Sequence, residues 1–276
     1  MSHVDWNGVF PALTTKFTAS DTIDWDAMGH HLDFQLDAGV HGLIILGSLG
    51  ENATLSAEEK LEMVRFFARA EKRGRPLVAC IAESSTRDAR EFAAAAEDAG
   101  ADGFMLLPPM RYPSDRRETM TFLHDVAAAT SNPIMLYNNP LAYGTDITPQ
   151  DFVRLADNPR FEAIKESAAD TRRFTEIRRL TGDRYAHFCG VDDLAYECFA
   201  LGATGWVAGL VVACETAEDF HEATIDRALG DPAMNRATFN RQFASLTIGS
   251  GAAAVLLVDS RLRPAAPKLL GGAVRA

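Results

Sequence analysis

The sequence predicts an α/β fold, a (β/α)8 TIM barrel, on three observations. Eight short apolar runs alternate with eight helical patterns, the runs are apolar almost throughout, and no G-x-G-x-x-G follows the first run. Strands apolar on both sides belong to parallel sheets covered by helices on their faces. Parallel neighbours need right-handed crossovers, and eight such units within about 250 residues close a barrel. An open doubly wound sheet is the alternative fold, but it carries a glycine fingerprint or a P-loop that this chain lacks.

The elements follow in order. Residues 8–15 form the first strand; Asp24 caps a helix to about residue 38, which Gly39 closes. Residues 41–46 are a near-continuous apolar strand, followed by Gly47-Ser48-Leu49-Gly50-Glu51 and a helix over about 56–72. Strands at 76–81 and 103–107 are each followed by a loop and a helix, over 86–99 and about 115–129. The fifth strand, 133–137, leads through a loop over 138–146 to a helix starting near Pro149, and the sixth ends at Lys165 before a helix over about 171–180. The last two units pair a strand at 185–188 with a helix over about 192–201, and a strand at 205–208 with a helix over 216–229.

Composition narrows the function. With 276 residues, 47% hydrophobic and 24% charged, the chain can bury a large core. A net charge of −11 argues against binding a phosphate backbone, so nucleic acid is not an expected partner. The N-terminus lacks a basic segment leading into an apolar run, and no apolar stretch approaches the ~20 residues that span a bilayer, so a cytoplasmic location without membrane contact is expected. Cys80, Cys189, Cys198 and Cys214 are scattered without a C-x-x-C pair and read as reduced, mostly buried thiols. The seven histidines show no H-x-H or H-E-x-x-H spacing, and no metal site is expected.

In a barrel, function belongs at the carboxyl ends of the strands, where Lys165, Tyr137 and Ser48 all fall. Taken alone, Lys165 also reads as a surface lysine whose stem lies along the strand end. At the barrel mouth an apolar neighbourhood disfavours an ammonium and favours the amine that attacks a carbonyl, forming a Schiff base that serves as an electron sink. Tyr137, on the adjacent strand, can act as general acid and base there if its side chain shares the face of Lys165. The small residues of Gly47-Ser48-Leu49-Gly50 leave backbone N–H groups free for a carboxylate, although as a lone G-x-x-G the segment equally makes a tight connection.

Together, Gly47-Ser48-Leu49-Gly50-Glu51, Tyr137-Asn138-Asn139-Pro140 and Ile164-Lys165-Glu166-Ser167, in this order on a barrel pattern, resemble the dihydrodipicolinate synthase and N-acetylneuraminate lyase superfamily over roughly residues 7–229. The resemblance implies Lys165 as the Schiff-base lysine, Tyr137 as the proton-transfer phenol, and Ser48 with the Leu49 amide as the binder of a keto-acid carboxylate. It further implies Gly47, Gly50, Arg111, Asn139, Gly190 and Val207 as substrate-binding positions, a homo-oligomer (dimer or tetramer), and no metal or organic cofactor beyond the imine on Lys165.

Departures from the family pattern refine this expectation. The synthases usually have two threonines where Ser48-Leu49 stand, a relay tyrosine after the fourth strand where this chain has Met110-Arg111 with Tyr112 displaced by one, and a carboxylate-binding arginine where Ala142-Tyr143 stand. The chain is therefore more similar to members that dehydrate or deaminate hydroxylated substrates, such as the 1-pyrroline-4-hydroxy-2-carboxylate deaminases of hydroxyproline breakdown. Keto-deoxy-sugar-acid dehydratase or aldolase comes next, then the synthase. A catalytically inactive barrel that binds a ligand is the non-enzymatic alternative.

After about residue 230 the chain leaves the family pattern. Residues 245–257 read as two short apolar strands about a glycine turn, so the expected organisation is a catalytic barrel over 1–230 and an atypical C-terminal extension over 231–276.

Overall fold

The computed structural model describes residues 4–109 and 113–209. Eight strands, β1 Gly8–Pro11, β2 Leu43–Ile45, β3 Leu77–Ile81, β4 Gly103–Leu106, β5 Ile134–Asn138, β6 Phe161–Glu166, β7 Ala186–Cys189 and β8 Gly205–Ala208, form one sheet in the order β1-β8-β7-β6-β5-β4-β3-β2. Every pairing between neighbours is parallel. A parallel bridge between Ala12 and Ile44, with Leu13 N donating to Ile44 O at 2.8 Å and His41 N to Val9 O at 2.9 Å, joins β1 to β2. The sheet is thereby a barrel, with active-site positions at the ends of its strands.

The helices are α1 Trp25–Asp37, α2 Ala57–Arg69, α3 Thr86–Asp98, α4 Arg116–Ala127, α5 Pro140–Tyr143, α6 Pro149–Leu155, α7 Arg172–Thr181 and α8 Ala195–Ala200. The starts of α1 to α6 are set by side chains that accept otherwise unpaired N–H groups. Asp24 accepts from Ala27 N at 2.9 Å, and Ser56, Asp115 and Thr148 form reciprocal capping boxes with Glu59, Glu118 and Asp151.

The structure corrects the sequence expectation in three places. The first strand ends at Pro11 rather than near residue 15, because the ladder to β8 stops at the Pro11–Ala208 pair. Stretches expected as loop contain a 3₁₀ turn, Asn52–Thr54, and the one-turn helix α5, which Asn139 caps by accepting from Ala142 N while Pro140 fills the first position. The helix expected from residue 192 begins as a 3₁₀ turn, Asp192–Leu194, before α8. The expected helix over 216–229, the extension over 231–276, Arg111 and Cys214 lie outside the described residues. No described helix is long and apolar enough to cross a membrane.

Alternate residues of β8 divide between two clusters. Val207 joins the large cluster that fills the barrel, whereas Trp206 and Ala208 pack with Phe174, Ala195 and Cys198 under the outer helices. The barrel floor is aromatic: Trp6 stacks on Phe10 at 6.0 Å and Phe10 meets Phe188 edge to face at 5.2 Å, distances within the range of favourable ring pairs. Phe188 is paired in register with Gly205, where an added Cβ would fall on the Phe188 ring. Gly205→Ala is therefore expected to overpack this floor and cost about 1–3 kcal/mol, read as a lowered Tm in thermal unfolding; an unchanged Tm would contradict this packing.

Candidate active site

The site grows from the register between β5 and β6. Tyr137 pairs with Lys165 and Asn138 with Glu166, so the first pair shares one face of the sheet and the second pair the other. Lys165 and Tyr137 are each only 7% exposed. The Lys165 ammonium position, Nζ, stands over the Tyr137 ring, 3.8 Å from its centroid, a cation–π contact. Among the described residues Lys165 makes no ion pair, in contrast to the equally buried Lys60, which binds Glu83 at 2.8 Å.

Three neighbours define the phenol. Asn139 Nδ2 donates to the Tyr137 hydroxyl at 3.1 Å, Tyr143 packs edge to face against the Tyr137 ring at 5.7 Å, and the Tyr143 hydroxyl bonds Ser48 Oγ at 2.6 Å. Burial opposes ionisation of Tyr137. The charge of Lys165 and the hydrogen bond from Asn139 hold the phenol below its ordinary range all the same. Burial drives Tyr143 the other way, well above the usual phenol range.

Behind this face a polar group fixes the two strand ends. Asn138 Nδ2 donates to both Glu166 carboxylate oxygens at 3.1 Å, and Asn138 Oδ1 accepts from Ile147 N at 2.9 Å. Arg173 reaches in from α7, its Nε donating to Glu166 Oε2 at 2.9 Å while its other nitrogens bond Asp146 and the Ile147 carbonyl. Burial raises the Glu166 carboxyl above its usual range, with Arg173 and Asn138 offsetting only part of the effect.

The loop after β2 completes the rim. Leu46 is buried with φ of +60°, a left-handed conformation that costs a branched side chain about 1–3 kcal/mol and turns the chain into the Gly47-Ser48-Leu49-Gly50 segment. Gly47 O accepts from Gly50 N and Asn52 N, and Thr15 Oγ1 donates to Gly50 O at 2.6 Å, tying this loop to the segment that follows β1. The Ser48 and Leu49 amides have no hydrogen-bond partner among the described residues.

The structure thus brings Lys165, Tyr137, Ser48 and Asn139 together. Gly190 lies against them: an added Cβ would stand 2.8 Å from Lys165 Cε and crowd Ser167 Oγ, so the lysine needs a glycine at this point. Val207 lies among the buried residues of the barrel interior, while the Leu49 side chain extends toward Gly209, where an added Cβ would lie 3.0 Å from Leu49 Cδ1. Sequence reasoning missed the contact of Tyr143 with Ser48 and the Asn138–Glu166–Arg173 group; Cys80 is a free, buried thiol as expected, pushed up to about 12 by burial. The spacing Asn139-Pro140-x-x-Tyr143-Gly144, a cap, a proline and a closing glycine, is a one-turn helix signal that places Tyr143 beside Tyr137.

A family model described as the dihydrodipicolinate synthetase family matches residues 5–229. The 4-hydroxy-tetrahydrodipicolinate synthase of Methanothrix thermoacetophila is 33% identical over 204 residues, covering 74% of this chain and 68% of that protein. The synthase of the same name from Archaeoglobus fulgidus is 32% identical over 231 residues, covering 81% and 78%. Among solved structures, YagE, a prophage protein of E. coli K12 belonging to the dihydrodipicolinic acid synthase family and solved in complex with pyruvate, superposes with a TM-score of 0.71. It is 26% identical, over 88% of this chain and 80% of that one.

Removing Arg173 would leave the Glu166 carboxylate buried without its cation. Arg173→Leu is expected to cost about 3 kcal/mol of stability. Glu166 protonates more readily in the folded than in the unfolded state, and losing Arg173 widens that difference. The loss should therefore be larger at pH 8 than at pH 5, because protonation of Glu166 as the pH falls removes the need for a cation. Urea unfolding at both pH values checks this; an equal loss at the two would contradict it.

Proposed function

The chain belongs to the dihydrodipicolinate synthetase family, and we propose that it works as a Schiff-base lyase in which Lys165 attacks a 2-keto acid or cyclic imine acid. The observation that carries this reading is the Lys165 amine held over the Tyr137 ring at 3.8 Å, without a carboxylate partner. Ser48 and the Ser48 and Leu49 amides supply donors for the substrate carboxylate. No metal or organic cofactor enters the proposed reaction, and the protein acts in the cytoplasm as a homo-oligomer.

Within the family, we propose dehydration with deamination of a single hydroxylated substrate such as 1-pyrroline-4-hydroxy-2-carboxylate. Support comes from Tyr143: where a carboxylate-clamping arginine would read a second substrate, this chain has Ala142 and a tyrosine whose hydroxyl is bonded to Ser48. The Lys165 amine adds to the ring C=N carbon and the ring nitrogen leaves as a chain amine. Tyr137 takes the neighbouring C–H proton and the hydroxyl departs as water; a proton shift from the amine-bearing carbon to the new C=C turns the chain amine into an imine, and hydrolysis of this imine and of the lysine imine yields an open-chain semialdehyde, ammonia and free Lys165. One water is consumed overall.

The second reading is the synthase itself, favoured by the names of the relatives. Parallel assays separate the two. Ammonia release from the hydroxypyrroline, lost in Lys165→Ala, is expected. Condensation of pyruvate with an aldehyde, or water loss from keto-deoxy sugar acids, without ammonia release would overturn the deaminase reading, and ligand-induced thermal stabilisation without any turnover would favour an inactive barrel.

A further inference from the structure

Two thiols of the outer layer have no use in the proposed chemistry, and the fold sets them against each other. Cys189 closes β7 with its side chain away from the barrel interior, in register with Glu166 and Trp206, which share that face. Cys198 lies one turn after Ala195 on the buried side of α8, and both pack in one cluster with Cys189, Trp206 and Phe174. Cys189 and Cys198 line a single void of about 10 Å³, together with Phe174, Val191 and Leu194. A void of that size barely holds a water, so it is no ligand site but the gap between two reduced thiols. The Cys198 thiol and the Val191 carbonyl, to which Cys189 Sγ donates at 3.2 Å, hold Cys189 below the usual thiol range, while Cys189 and burial raise Cys198.

We propose that Cys189 and Cys198 form a reversible disulfide that slows the chemistry of Lys165. Its effect on the lysine rests on the Schiff-base reading above. Hydrogen peroxide is the oxidant: the Cys189 thiolate attacks the O–O bond and becomes a sulfenic acid as hydroxide leaves, and the Cys198 sulfur then displaces hydroxide from that sulfur to close the S–S bond. In all, two thiols give up two electrons and two protons, and the peroxide is reduced to two waters. Helix α8 spans six residues, starts without a side-chain cap and carries exposed Tyr196 and Phe199, so its local opening admits the oxidant. Gly190 passes the change inward. It stands between Cys189 and Val191, its N donates to Glu166 O at 2.9 Å, and it backs on the Lys165 stem so closely that an added Cβ would lie 2.8 Å from Cε. Closing the bond draws the sulfurs to about 2.05 Å and removes the hydrogen that Cys189 gives to Val191 O, so the Gly190 segment loses its present anchor beside the amine.

The full-length protein, treated with hydrogen peroxide, freed of it, and then reduced with dithiothreitol, provides the test. Peptide mapping of the oxidised form is expected to find Cys189 joined to Cys198. Trapping of pyruvate with cyanoborohydride, which spares disulfides, is followed over time by intact mass; it should slow about fivefold or more in the oxidised form and recover on reduction. Cys198→Ala, treated in parallel, should trap pyruvate at the same rate before and after peroxide, which separates the bond from oxidation of Cys80, Cys214 or the methionines; Cys198→Ser gives the same comparison where the alanine variant unfolds. A map without the Cys189–Cys198 bond would overturn the proposal. So would equal slowing in the Cys198 variants, or trapping within about twofold of the reduced rate once the bond has formed. No adduct in the reduced parent would overturn the Schiff-base reading and the effect on Lys165 with it, while the map alone decides whether the disulfide forms.

Discussion

One registered pair of side chains governs the rest of the site: Lys165 and Tyr137, opposite each other on neighbouring parallel strands and both nearly closed to solvent. An amine at that depth has no carboxylate to lean on and is stabilised instead by the face of the phenol. The contact makes demands in every direction. The next strand must give way, and Gly190 does so where any side chain would displace the lysine stem. The strand ends must not shift, and they are pinned from outside by Asn138 and Glu166, with Arg173 brought in from α7.

The two buried lysines show how context separates structure from chemistry. Lys60 on α2 is neutralised by Glu83 in the loop after β3, which joins helix to barrel rim and leaves its nitrogen engaged. Lys165 is paired in register with Phe188 of β7, whose ring packs against Phe10 and Trp6. The neighbour of the Lys165 amine is not a carboxylate but the Tyr137 phenol, which is held below its ordinary range, and the counter-charge proposed for it is the ligand carboxylate at the Ser48 loop. The strained Leu46 backbone that presents this loop is consistent with a site whose local cost is met by the surrounding barrel.

Most of this architecture was legible in the amino-acid order. All eight strands are short apolar runs between turn residues, and parallel-sheet strands buried on both faces must be so. Lys165, Tyr137 and Ser48 stood out because polar groups at strand ends break that apolar rule. What escaped notice depends on contacts between distant residues. Tyr143 and Ser48 are separated by 95 positions and meet only because a one-turn helix, too short for any periodicity to declare, folds back over β5. In the sequence Asn138, Glu166 and Arg173 are three separate polar residues; their convergence needs the strand register and the docking of α7.

In the proposed reaction the barrel singles out one lysine for covalent chemistry. Peptide mapping after borohydride reduction in the presence of pyruvate measures this directly. The reduced adduct is expected on Lys165, with Lys60, equally buried but paired to Glu83, unmodified. An adduct on Lys60 or on exposed lysines, with Lys165 untouched, would contradict the account.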